Sequence, residues 1–342
     1  MKKDRSISHG ADRNLQFSAA AVPIFRMNFY TTAVIGALAA TLTLARLPAA
    51  ETVQVVSFPS NQWWRSEIRL HVPASQPVGL LVFLPAGDIH SFSEAQLPKM
   101  LATNDVMTLI ATPKRDGLYT GDAILAELDG LIADVAGRYK IPPGKVVAGG
   151  LSSGGLGAVR YAQYCLRGGH KTNSPLAVFA VDSPLDYERW YLAAELHLGR
   201  LALVGRDLAE DRSATHELRQ ALGGSPAETL DAYRRQSPVS TRVADGGNAG
   251  LLRSTPIRIY IEPDIKWRLE NWNRDAYSFN IIDATVLINI LRLLGNPDAE
   301  LITTSGAGYR PDGSRNPHSW SIVDERALTQ WLTGRLRNSN HK

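Results

Sequence analysis

Cys165 is the only cysteine in the 342 residues, so no intrachain disulfide can form and no cysteine-ligated metal cluster can be built. A lone cysteine inside a helical pattern reads as a small buried hydrophobe rather than a reactive thiol. The chain also lacks an H-E-x-x-H motif and any His/Asp cluster at ligand spacing, so no metal and no other cofactor is expected. It lacks a basic excess in its body. Six of the 37 Lys and Arg and two of the 33 Asp and Glu fall in residues 1–50, leaving 31 of each sign from Glu51 onward. Binding nucleic acid requires cations set against phosphates, so nucleic acid is not an expected partner. The glycine-rich segments contain no G-x-G-x-x-G, and no Gly-Lys-Ser/Thr follows them, which excludes the usual phosphate loops. There is no internal repeat and no low-complexity tract.

What is present is an ordinary globular composition, 44% hydrophobic and 20% charged, able to bury a core. Residues 29–45 are apolar and uncharged and follow Arg26, as in a secretory signal. Thr43-Leu44-Ala45 fits a small-x-small cleavage site, with Pro48-Ala49-Ala50 as the alternative, and Met27 is a candidate start. Residues 1–50 are therefore expected to be an N-terminal extension and signal peptide, and the protein to be secreted or periplasmic. An uncleaved segment would be its one contact with a membrane, and at 17 residues it is short for a span, which needs about 20.

From residue 51 onward, β-rich runs alternate with helical patterns. Strands are predicted at 52–58, 66–72, 78–84, 106–111, 145–151, 176–181, 257–261 and 299–303. Runs such as VGLLVFL and KVVAGGL are nearly continuous in apolar residues, as in parallel strands buried on both faces. Helical periodicity covers 122–139, 156–166, 189–208, 227–235, 284–294 and 324–335. This alternation predicts an α/β fold with a doubly wound, mostly parallel sheet of about eight strands. Residues 184–255 break the rhythm with helical patterns and no clear strand, and are predicted to form a helical cap insertion over the sheet's C-terminal edge.

Gly150-Leu151-Ser152-Ser153-Gly154 matches G-x-S-x-G with a buried strand running into it and a helix running out. That is the setting of a nucleophile elbow, in which glycines two residues either side let strand and helix approach closely. Ser152 has Gly at both positions, whereas Ser153 has Leu151 two residues before it, so Ser152 is the predicted nucleophile.

Together these features resemble the α/β-hydrolase fold, in its esterase and prolyl-oligopeptidase-like branches, over about residues 78–335. The resemblance implies a triad in the order serine, acid, histidine. It places the base after the last strand, at His318 in Asn316-Pro317-His318-Ser319-Trp320. It places the acid in the turn after strand 257–261, where Asp264 is chosen, with Glu262 and Asp182 as alternatives. It implies an oxyanion hole from the backbone N–H groups of Ser153 and Gly87, although Pro85-Ala86-Gly87 replaces the His-Gly-Gly of many relatives. Trp267 and Trp320, and Tyr119 after strand 106–111, are candidate substrate-binding residues, with Trp272 and Trp190 as further aromatics near the loops. The implied activity is hydrolysis of a small-molecule or polymer-linked carboxylic ester through an acyl-enzyme on Ser152. A peptidase or amidase of the same fold, and a binding protein without activity, are the alternatives.

Overall fold

In the computed structural model, which describes residues 51–57, 63–65, 67–86, 95–114, 118–168, 174–203, 205 and 209–338, the apolar runs become one sheet. The signal-peptide expectation for residues 1–50 lies outside the described residues. The strands are β1 (Thr52–Ser57), β2 (Glu67–Val72), β3 (Gly79–Leu84), β4 (Val106–Ile110), β5 (Val146–Leu151), β6 (Val178–Val181), β7 (Ile257–Ile261) and β8 (Ala299–Thr303). Their order is β1-β2-β4-β3-β5-β6-β7-β8. The β1–β2 and β2–β4 pairs are antiparallel and all others parallel.

Strand alternation divides even the all-apolar runs between two faces. Leu80, Val82 and Leu84 of β3 join one core, Leu81 and Phe83 the other. The first core packs α2 (Asp122–Arg138), α3 (Ser153–Leu166) and α8 (Ile281–Leu293) on one face. The second packs α1 (Leu97–Ala102) and α9 (Glu325–Asn338) on the other. Helices on both faces of a mostly parallel sheet are the doubly wound class expected from the sequence. Cys165 is buried in α3, and burial pushes its thiol up to about 12, as befits a packing residue.

Between β6 and β7 lie α4 (Tyr187–Ala202), α5 (Ala209–Leu222), α6 (Pro226–Gln236) and a 3₁₀ turn at Gly247–Leu252. Tyr187, Tyr191, Leu218, Leu222 and Tyr233 carry this insertion into the core shared with α2, α3 and α8. A buried ion pair ties its start to α8. Arg189 and Asp283 are both almost wholly buried, with Arg189 Nη2 donating to Asp283 Oδ2 at 2.8 Å and Nε donating to Oδ1. Asp283 Oδ2 also accepts the N–H groups of Leu185 (2.8 Å) and Asp186 (3.1 Å). α7 (Ile265–Trp272) follows β7, and among its side chains only Arg268 is buried. Among the described residues no helix is long and apolar enough to cross a membrane.

Truncating one member of a buried pair strands the other charge, which costs about 3–5 kcal/mol. Asp283→Ala strands Arg189 and two amides, so urea unfolding should report a loss of that order. A loss below about 1 kcal/mol, the range of exposed pairs, would show that the insertion does not depend on this pair.

Candidate active site

β5 ends in a turn that backbone sterics dictate. Ser152 adopts φ +53° and ψ −124°, and α3 begins at the next residue. Ser152 N–H donates to Val181 O at 2.8 Å, extending the β5–β6 ladder one residue past the strand. A Cβ on Gly154 would lie 1.9 Å from Leu84 O, and one on Gly150 would lie 2.4 Å from the same atom. The two glycines of the motif are thus required by the contact of the turn with the end of β3. Gly155 is equally constrained, since its Cβ would stand 2.1 Å from Ser183 Oγ.

Asp182 occupies the matching position after β6. It is wholly buried, it too has positive φ (+41°), and its N–H donates to Tyr260 O at 2.8 Å. His318 arrives from the loop after β8. Its Nε2 lies 3.0 Å from Ser152 Oγ and its Nδ1 lies 2.9 Å from Asp182 Oδ2. An ionised carboxylate only accepts, so Nδ1 carries the proton and Nε2 is left to accept from the serine hydroxyl. Two further groups fill the carboxylate. Arg268 Nη2 donates to Oδ2 at 2.6 Å, and Asn280 Nδ2 donates to Oδ1 at 3.0 Å and to the Asp182 carbonyl at 2.8 Å. Burial by itself would raise the Asp182 pKa. The charges and hydrogen bonds of His318 and Arg268 outweigh it and hold the carboxyl well below the usual carboxylate range.

No family model and no curated protein matches the sequence, but solved structures are similar. MPT51 from Mycobacterium tuberculosis superposes with TM-score 0.55 at 15% identity, over 84% of this chain and 100% of that one. Carboxyl esterase 2 of the mycorrhizal fungus Tuber melanosporum gives 0.53 at 13% identity, over 85% and 88%. The acylaminoacyl peptidase of Pyrococcus horikoshii gives 0.53 at 10% identity, over 85% of this chain and 42% of that one. The fold is that of the α/β-hydrolases.

Within this α/β-hydrolase fold the structure brings Ser152 and His318 together and corrects the expected acid. Asp264 does not meet His318. It caps the N-terminus of α7, accepting Trp267 N–H at 2.9 Å, and its Oδ2 pairs with Arg315. The Trp267 N–H and then Arg315 hold its carboxyl below the ordinary range. Glu262 does not reach the imidazole either. Its carboxylate accepts from Thr304 Oγ1 (2.8 Å) and from the amides of Gly306 (3.2 Å) and Ala307 (3.0 Å). Asp182, the third candidate, is the carboxylate on Nδ1.

Ser153 opens α3, so its N–H belongs to the first turn, where helix amides lack intrahelical partners. Gly87 lies outside the described residues. Trp320 is 8% exposed and packs edge-on against Phe83, with centroids 5.3 Å apart, while its Nε1–H donates to Glu325. It is a core residue whose remaining surface lines the cleft at His318. Trp267 stacks edge-on with Trp272 at 5.1 Å, and it is Trp272 that meets the His318 ring, at 6.4 Å. Tyr119 is 1% exposed and wedged against Gly157, whose Cβ would come 2.6 Å from the ring. Tyr119 lines a cavity of about 970 Å³ beside α5 and α6 rather than the His318 cleft. The His318 cleft, about 940 Å³, is lined by Leu151, Tyr309, Arg310, Trp320 and Asp324 among others.

The loop that carries His318 has its own brace. Arg315 Nη2 reaches Glu262 Oε1 at 3.4 Å, Nη1 pairs with Asp264, and Nε donates to Ala307 O at 3.1 Å. Losing a charge-assisted bond of this kind costs about 1.5–3 kcal/mol. Arg315→Ala should therefore speed hydrogen exchange at the Gly306 and Ala307 amides by about tenfold or more. Unchanged exchange there would show that the loop holds itself without Arg315.

Proposed function

We propose that the protein is a serine hydrolase acting on carboxylic esters, with Ser152 as nucleophile, His318 as general base and Asp182 as the acid of the triad. The observation that carries this reading is the unbroken line of contacts, Ser152 Oγ to His318 Nε2 at 3.0 Å and His318 Nδ1 to Asp182 at 2.9 Å. The strained turn at Ser152 supports it, because a non-glycine residue at positive φ costs free energy and concentrates at functional sites.

In this mechanism Ser152 Oγ attacks the ester carbonyl while His318 Nε2 takes the hydroxyl proton. Asp182 keeps the proton on Nδ1 and stabilises the imidazolium. The carbonyl oxygen becomes an oxyanion, met by the Ser153 N–H at the positive end of α3. The expected second donor, the Gly87 N–H, completes the proposal. Collapse of the tetrahedral intermediate expels the alcohol, which takes the proton from Nε2 and leaves an acyl group on Ser152. Water then attacks this acyl-enzyme, with His318 taking its proton and returning it to Ser152 Oγ as the acid leaves. Esters are favoured over amides because the Tuber melanosporum protein is an esterase matched over nearly its whole length. The acylaminoacyl peptidase matches over less than half of its own.

The test is hydrolysis of p-nitrophenyl esters from acetate to octanoate by the full chain, beside the matching anilides. Ser152→Ala should abolish turnover. Asp182→Asn should lower kcat by about 10³–10⁴-fold, as expected when the histidine loses its partner, and Asp264→Asn by less than about tenfold. Activity that survives Ser152→Ala would sink the reading, and cleavage of anilides in preference to esters would change it to an amidase.

A further inference from the structure

Arg268 takes no part in the acyl transfer derived above, yet it is the only buried side chain of α7. An apolar residue would be the ordinary choice there. Its guanidinium lies over the Phe279 ring at 4.8 Å and near the Trp272 ring at 5.3 Å. It is 4% exposed, and its Nη2 shares Asp182 Oδ2 with His318 Nδ1. A permanent cation and an imidazole that becomes a cation during turnover therefore meet on one oxygen.

On its cleft side His318 faces a lining that carries Arg310, Asp312, Asp324 and Glu325, the last bound by Trp320 Nε1–H. The charges on the buried side, around Asp182, come from few elements. From the turn after β7, the Glu262 carbonyl accepts from Arg268 at 3.5 Å, while the Glu262 carboxylate is taken by Thr304, Gly306, Ala307 and Arg315. Asp264, which is also paired with Arg315, lies within electrostatic reach of Arg268. From the start of α8 the contribution is Asn280, which is neutral. Beyond Trp272, Arg274 lies 5.9 Å from that ring and is bound to Asp211 at 2.8 Å. From β5 there is the Ser152 hydroxyl. At contact distance, then, Asp182 faces one fixed cation and His318.

Resting on the serine-hydrolase reading, we propose that Arg268 is a positioning residue that both fixes the Asp182 carboxylate and, by its charge on the shared oxygen, keeps His318 available as a base at lower pH. A nearby like charge disfavours a second cation. Without Arg268, the imidazolium would face Asp182 unopposed in a buried site. More of the protein would then hold His318 protonated at a given pH, and the acid limb of the rate profile would move up.

The experiment compares kcat/KM against pH for p-nitrophenyl acetate with the parent chain, Arg268→Met, Arg268→Lys and Asn280→Ala. In parallel, NMR follows the His318 ring titration in ¹⁵N-histidine-labelled protein, assigned with His318→Gln. Arg268→Met should move both the acid limb and the ring titration up by about one pH unit or more. Arg268→Lys, which keeps the charge, should leave the midpoint near that of the parent while lowering kcat. Asn280→Ala, which removes a neutral donor from the same carboxylate, should lower kcat without moving the limb. Should Arg268→Met fail to fold, Arg268→Gln carries the same expectation. Equal losses in the Met and Lys variants with an unmoved ring titration would overturn the proposal and leave Arg268 as packing. Absence of Ser152-dependent turnover in the parent chain would defeat the hydrolase reading instead, and the ring titration would still decide the role of Arg268.

Discussion

A buried carboxylate governs this sheet edge. Asp182 has no exposed surface, and an ionised carboxylate in such a place is costly unless its oxygens are filled. His318 and Arg268 fill one oxygen and Asn280 the other. Each donor commits a further piece of chain. Arg268 fixes α7 and, through it, the Trp272 ring beside His318. Asn280 stands immediately before α8, and three residues on Asp283 takes Arg189 and the first residues of the insertion. Satisfying Asp182 therefore aligns elements from β6, α7, α8 and the last loop.

A second constraint acts on the backbone. Ser152 and Asp182 follow paired residues, Leu151 and Val181, on neighbouring strands, and both have positive φ. Such conformations cost on the order of 1–3 kcal/mol each and persist only where the surroundings impose them. Here the ladder imposes them. Ser152 N–H reaches Val181 O and Asp182 N–H reaches Tyr260 O, so each strand keeps its neighbour for one residue beyond its regular end. The glycines at 150, 154 and 155 then let α3 leave immediately, at contacts where any Cβ would overlap Leu84 or Ser183.

Much of this was legible in the sequence, and the misses have physical causes. The inner strands β3, β4, β5 and β6 were visible because strands buried on both faces are continuous apolar runs. The outer four were visible by their β-rich, partly alternating residues, and Ser152 was visible because its glycines are sterically required. Three helices were not. α1 is six residues long, and α5 buries only four of its fourteen residues, one of them Asp211. α7 inverts the usual pattern, burying Arg268 while Ile265 and Leu269 stay exposed. Hydrophobic periodicity finds helices whose buried face is apolar, and α7 has an ionic one. The same property hid Arg268 itself, since nothing local marks an arginine whose partner is 86 residues away. Asp264 was expected beside the imidazole and Asp182 stands there instead, because three carboxylates lie at strand ends and only tertiary contacts show which of them meets His318.

The position of Asp182 after β6 also bears on the length of the last loop. β5, β6, β7 and β8 are consecutive neighbours in the sheet. With strands about 4.8 Å apart, a histidine leaving β8 must cross three gaps, roughly 14 Å, to stand above the end of β5. A carboxylate after β7 would meet the imidazole early in that crossing, whereas Asp182, after β6, lies one strand further on. The chain spends residues 304–317 on the way, and a glycine-rich loop of that length loses considerable entropy when held in one conformation. Glu262 and Asp264, at the end of β7, lie beneath this path and grip it through Thr304, Gly306, Ala307 and Arg315. The two carboxylates that do not touch the imidazole thus brace the loop that delivers it, so a carboxylate partner after β6 and a long, braced last loop belong to one arrangement.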